Sequence, residues 1–202
     1  LYGPPKCGKT IFAMQFLNEG LKQEEPGLYI TTNTSVAQLK QFFLSFNISV
    51  AKHEENGFLF YIDLFSMRGG EAADSDFVRN VAPTATTKLM ITASEAYKYI
   101  CPKGLRIRTL FDSVTPLVES NEQVVSRFLQ AFVAQNKSAG STTVITYTEG
   151  IADKKLETLF KSIVDASIHM DGEGGMVIES MLGTPCPIKL SYKITDDGIN
   201  VL

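Results

Sequence analysis

The chain has 202 residues and a net charge of −3, with 44 % hydrophobic and 20 % charged residues. That length fits one domain with its own core, and that composition excludes a disordered chain. No apolar run reaches the ~18–20 residues of a membrane helix, no basic field advertises nucleic acid, and three distant cysteines, Cys7, Cys101 and Cys186, make neither a disulfide framework nor a zinc pattern. The cysteine usage and the absence of a signal-peptide pattern place the chain in a reducing, cytoplasmic interior. Residues 1–202 read as a single domain. The first motif starts at residue 3, so the strand expected before it is missing and the chain reads as a fragment.

Residues 10–22 have a helical pattern, stopped by Pro26-Gly27. Residues 28–32 form a β-branched and aromatic run, hence a strand. Ser35 to Phe46 carries Val36, Leu39, Phe42, Phe43 and Phe46 at helical spacing, and Ser35 with Gln38 makes a capping box. Phe58–Ile62 is a second buried strand. Residues 66–83, with Gly69-Gly70 and Pro83, read as a surface loop. Residues 84–100 read as a helix ended by residues 101–104.

Ile107 to Asp112 is a strand ending in an acid. Ser120 with Gln123 reads as a capping box for a helix whose apolar stripe is Val124, Val125, Phe128, Leu129, Phe132 and Val133. Thr142–Thr148 is a strand, residues 153–162 a short helix, and Val164–Met170 a strand. Met176–Met181 and Ile188–Ile194 read as a C-terminal antiparallel pair, with Asp196-Asp197-Gly198 as a turn. The alternation of strands and helices predicts an α/β fold: a twisted, mainly parallel sheet flanked by helices.

Gly3-Pro4-Pro5-Lys6-Cys7-Gly8-Lys9-Thr10 fits G-x-x-x-x-G-K-[ST], a phosphate loop. The glycines let backbone N–H groups wrap a phosphate chain, and the following helix adds the positive end of its dipole. Lys9 reaches the β- and γ-phosphates, and the Thr10 hydroxyl ligates Mg²⁺. Lys6 has two readings, a solvated cation or an extra phosphate contact. Cys7 reads as a small loop filler. Asp112, at the end of its strand, is the expected second Mg²⁺ residue.

The phosphate loop, the Tyr29-Ile30-Thr31 strand, the Phe111-Asp112-Ser113-Val114-Thr115-Pro116-Leu117 segment and the Val144-Ile145-Thr146 strand together resemble the KaiC-like branch of RecA-fold P-loop ATPases. So does the ending, Gly183-Thr184 followed by Ile194-Thr195-Asp196-Asp197-Gly198-Ile199. The resemblance implies a RecA-like P-loop NTPase fold, ATP with Mg²⁺, and rings or filaments with ATP at subunit interfaces.

Two departures stand against that pattern. The family carries a Glu pair just after the second strand, one of which activates the attacking water; here the place reads Thr32-Asn33-Thr34-Ser35. The family's K-x-R-G-T, which lends two cations to a neighbour's γ-phosphate, here reads Ser180-Met181-Leu182-Gly183-Thr184. Glu149, after the Thr142–Thr148 strand, is the candidate for a substitute base; its bland reading is a solvated loop acid. His53 and His169 read as structural, without the partners of a metal site.

The basic residues Lys98, Lys103, Arg106 and Arg108, and the pair Lys154-Lys155 flanked by Asp153 and Glu157, supply few cations for a nucleic acid. The expected function is an ATP-binding regulatory or assembly module with weak or absent hydrolysis, forming homo-oligomers or meeting a protein partner. The rival readings are an active ATPase with a non-standard base and a DNA recombination or repair accessory.

Overall fold

The computed structural model describes residues 1–68, 74–100 and 105–202. In chain order these form β1 (Tyr2–Gly3), α1 (Lys9–Lys22), β2 (Gly27–Thr31), α2 (Val36–Ser45), α3 (Ala51–Glu55), β3 (Leu59–Asp63), a 3₁₀ turn (Ser66–Arg68), β4 (Val78–Asn80), α4 (Thr86–Ile100) and β5 (Ile107–Asp112). They continue with α5 (Thr115–Ser120), α6 (Glu122–Ser138), β6 (Ser141–Ile145), β7 (Tyr147–Thr148), α7 (Lys154–Ile163), β8 (Ala166–Met170), β9 (Gly175–Met181), β10 (Ile188–Thr195) and β11 (Gly198–Val201).

One set of strands runs β4-β3-β2-β5-β6 and is parallel throughout. The other runs β7-β1-β8-β9-β10-β11, parallel as far as β8 and antiparallel beyond it. Thr146 is the joint between them. Its N–H donates to the Phe111 carbonyl at 3.0 Å and its own carbonyl accepts from Val114 N–H at 3.1 Å. The residues on either side, Ile145 and Tyr147, bond both main-chain groups of Leu1 at 3.0 Å. Residues 141–148 therefore border β5 first and β1 afterwards.

The central strands β2 and β3 are buried along their whole length, which is why they read as near-continuous apolar runs. Alternate side chains feed opposite layers. Leu28 and Ile30 pack with Leu89 and Ala93 of α4, Leu117 of α5 and Phe128 and Phe132 of α6. Tyr29 packs with Met14 and Leu17 of α1 and Leu39 and Phe43 of α2. A third cluster, Cys7, Ile11, Met170, Met176, Tyr192 and Ile199, lies against the first loop.

The α/β reading and the capping box of α2 hold: Ser35 accepts from Gln38 N–H and Gln38 returns the bond to Ser35 N–H. Several local readings need correction. Residues 66–83 are not all loop, because Val78–Asn80 adds a parallel edge strand to β3. The cap of α6 is Asn121, whose side chain accepts from Val124 N–H at 3.1 Å, so the box built on Ser120 and Gln123 is not the one that forms. The strand over 142–148 is broken at Thr146. The C-terminal pair is a run of β8 to β11, and α3 and α5 are additional short helices. Gly69-Gly70 and residues 101–104, with Cys101 and Lys103, lie outside the described residues.

Candidate functional site

The site begins where β1 runs into α1 through residues 4–8. Gly3 is packed so tightly that an added Cβ would lie 2.0 Å from the Met170 carbonyl oxygen. Gly8 stands at the N-cap of α1 with φ +100°, a left-handed conformation that suits glycine, and offers no side-chain cap. The first turn of α1 contains no acid. A helix start without cap or carboxylate leaves its N–H groups for an outside acceptor. Cys7 is buried, and its carbonyl accepts from Tyr192 Oη at 2.7 Å, so the C-terminal strands hold the loop from behind. Pro5 and Lys6 are exposed, and Lys6 has φ +64°.

Lys9 is 9 % exposed. Its ammonium donates to the carbonyls of Gly3 at 2.9 Å and Pro4 at 2.6 Å and lies 3.5 Å from Cys7 Sγ. No carboxylate lies within ion-pair distance of it among the described residues. A buried cation without a counter-charge is costly, and an anion entering the loop relieves that cost.

Asp112 presents the opposite charge in the same condition. It is buried at the carboxyl end of β5, with Tyr29 Oη donating to Oδ2 at 3.0 Å and Thr146 Oγ1 to Oδ1 at 2.5 Å. Burial, then the nearby Asp112 charge, raises the Tyr29 phenol well above its ordinary 10.0, which keeps it a donor. Neither partner neutralises the carboxylate, and two hydroxyls leave it lone pairs for a cation. The residues present thus fit both a phosphate chain and a divalent ion. No hydrogen bond joins Asp112 to Lys9 or Thr10 among the described residues; the 141–148 segment lies between β5 and β1.

Beside Asp112, Thr32 Oγ1 donates to the Ser113 carbonyl at 2.7 Å and accepts from Ser113 N–H at 2.9 Å. Asn33 Nδ2 donates to Ser113 Oγ at 3.3 Å. The Asp112–Ser113 peptide is cis. This corner is built from amides and hydroxyls.

Glu149 follows β7. Its N–H donates to the Gly3 carbonyl at 3.2 Å, the same oxygen that Lys9 holds. Its carboxylate lies 2.9 Å from His169 Nε2, and the Tyr2 ring lies against the imidazole with centroids 4.8 Å apart. His169 thus has a charged partner, which the sequence reading did not find. No group of three or more His, Cys, Asp or Glu suited to a metal occurs among the described residues. Of the basic residues, Arg108 is committed to Glu25 at 2.5 Å.

A family profile described as "ATPase: KaiC" matches residues 1–202. The chain belongs to the KaiC family of ATPases. It is 27 % identical over 213 residues to a UPF0273 protein of Methanopyrus kandleri, covering all of this chain and 82 % of the relative. It is 30 % identical over 154 residues to the circadian clock oscillator protein KaiC of Synechococcus elongatus, covering 75 % of this chain and 27 % of that one. The fold is similar to that of a KaiC-like protein from Pyrococcus horikoshii, with a TM-score of 0.74 at 20 % identity over 100 % of this chain and 87 % of the other.

A KaiC-family ATPase fold is therefore present, and the two positions where this chain departs from the KaiC pattern are both visible. Asn33 is exposed at the corner beside Ser113. Ser180 and Leu182, at the two places where the resemblance expects cations, are exposed at the end of β9. No helix among the described residues is long and apolar enough to cross a membrane.

Proposed function

We propose that the protein binds ATP with Mg²⁺ at the loop Gly3, Pro4, Pro5, Lys6, Cys7, Gly8, Lys9 and Thr10. In this reading it hydrolyses the nucleotide slowly and works as a nucleotide-dependent regulatory or assembly module, with copies of itself or a protein partner. The observation that carries the reading is Lys9: a buried ammonium, with no counter-ion among the described residues, beside an uncapped helix start. Thr10 and Asp112 are the residues that would hold the metal, which supplies charge neutralisation to the phosphates when bound.

Two substitutions support slow turnover. Residues 32–35 place no carboxylate where the family carries its base, and a general base typically contributes ~10²–10⁴ in rate, so turnover depends on an acid placed elsewhere on this edge. Missing cations at a γ-phosphate cost ~10³–10⁵ in related phosphoryl transfers, although such losses need not multiply.

The test is a thermal melt with and without Mg-ATP, on wild type and Lys9→Ala. A ligand at ~100 times its dissociation constant adds about 2.7 kcal/mol, roughly 5–10 °C for a chain of this size. The expected result is a shift of that order in wild type and none in the variant. No shift at millimolar Mg-ATP would overturn the reading.

A further inference from the structure

Four acids stand at or just beyond the carboxyl ends of parallel strands, on the edge where the phosphate loop lies: Asp63, Asp112, Glu149 and Asp171. Three are occupied. Asp63 is 2 % exposed and accepts from the N–H groups of Val36, Phe65 and Ser66 and from the Ser66 hydroxyl. Asp112 holds its two hydroxyl donors. Asp171 accepts on Oδ1 alone, from Glu173 and Gly175 N–H within its own exposed turn.

Glu149 differs. Only Oε2 is engaged, by His169, and the side chain is 37 % exposed, so Oε1 is open to water among the described residues. Its backbone is fixed to the phosphate loop, because its N–H and the Lys9 ammonium share the Gly3 carbonyl. Its register is fixed as well: Thr148 pairs with Gly3, and Thr148 N–H donates to Thr115 Oγ1 at 2.9 Å.

We propose that Glu149 is the base that takes the proton of the attacking water in ATP hydrolysis, and that His169 is its positioning residue. The proposal rests on nucleotide binding at the loop as read above. In the step, the water oxygen bonds to the γ-phosphorus and the bond from that phosphorus to the β–γ bridging oxygen breaks. ADP leaves with that electron pair. The water's proton passes to the Glu149 carboxylate and from there to solvent.

The imidazole fixes the carboxylate. A carboxylate only accepts, so the His169 Nε2 that faces it carries the hydrogen. The Tyr2 ring lies along the imidazole, and Tyr2 Oη is itself held by Lys161 and Glu179. This order runs from α7 and β9 through β1 and β8 to the phosphate loop's edge. A base held this way acts without His169 touching the substrate.

The test is ATP turnover by wild type, Glu149→Gln, His169→Leu and His169→Gln, with the Mg-ATP melt alongside. Glu149→Gln is expected to lower kcat by roughly 10²-fold or more while keeping the nucleotide-dependent melting shift. His169→Leu is expected to lower kcat by roughly 10–100-fold with KM unchanged, since misplacement of a catalytic group by about 1 Å has that effect. His169→Gln, which keeps a donor, should recover part of the loss.

In nucleotide-free protein near pH 8, imidazole ¹⁵N shifts should show the Nε2–H tautomer; the Nδ1–H tautomer would overturn the positioning role. If Glu149→Gln loses the fold, Glu149→Ala replaces it with the same two outcomes. A wild-type rate in the variant overturns the proposal. So does a wild-type protein that shifts with Mg-ATP but turns over no faster than buffer, and there the binding reading stands. No shift and no turnover removes both.

Discussion

Lys9 and Glu149 donate to one and the same atom, the carbonyl oxygen of Gly3, one from the start of α1 through its ammonium and the other from the end of β7 through its backbone N–H. The peptide that starts the phosphate loop therefore sets both the lysine and the acid. Gly3 has no room to change: its Cβ would lie 2.0 Å from the backbone oxygen of Met170, and its φ is +153°. Gly3→Ala is expected to destabilise the fold by about 1–3 kcal/mol or more, the range for overpacking, and to abolish the Mg-ATP melting shift. Urea unfolding and the melt together check it.

Tyr29→Phe removes a buried donor from Asp112. A hydrogen bond to a charged group contributes about 1.5–3 kcal/mol, so urea unfolding at neutral pH should show a loss of that order. The alkaline limb should change too. The folded state keeps the phenol neutral well above 10.0, while the unfolded chain ionises there. That contribution is fully present below the ordinary value and is lost as pH rises above it. Wild type should lose stability above about pH 10 more steeply than Tyr29→Phe.

Asp171 predicts an acid-side effect. The backbone N–H groups of Glu173, then of Gly175, hold its carboxyl below the ordinary 3.8. A depressed native value gives stability that is present above the unfolded value and lost as pH falls through the native one. The stability gap between wild type and Asp171→Ala should be open at pH 7 and should close as pH drops below 3.8. A gap of equal size at pH 7 and pH 3 would contradict it.

Asn121→Ala should cost about 1 kcal/mol, the usual effect of removing an N-cap, because Asn121 Oδ1 takes the Val124 N–H. Far-ultraviolet circular dichroism in a urea titration measures it.

That cap shows where reading residues alone falls short. A serine followed by Gln three places on satisfied the capping pattern, but Asn121 stood one place later with an equal claim, and α5, which occupies residues 115–120, decides between them. The short helices α3 and α5 and the three-residue β4 carry too little periodicity to be read. The buried strands were legible because both their faces are covered, and the phosphate loop because its chemistry constrains spacing.

The partners of the charged groups were not legible. Tyr29 and Thr146 lie 83 and 34 residues from Asp112, and His169 lies 20 residues from Glu149. Only the pairing of strands brings such residues together, and strand order is not written in local pattern. A tyrosine inside an otherwise apolar buried strand was the one available signal.

The self-bonding of the phosphate loop has a kinetic meaning. The Lys9 ammonium holds the carbonyls of Gly3 and Pro4. In the binding proposed above, an arriving phosphate is therefore a competitor that must displace an internal ligand. Binding becomes an exchange of acceptors around one cation, and measured affinity reports the difference between them, not the strength of the lysine–phosphate contact alone. The same exchange hands back two carbonyls whenever the nucleotide departs, so release meets a loop able to re-form its own contacts at once.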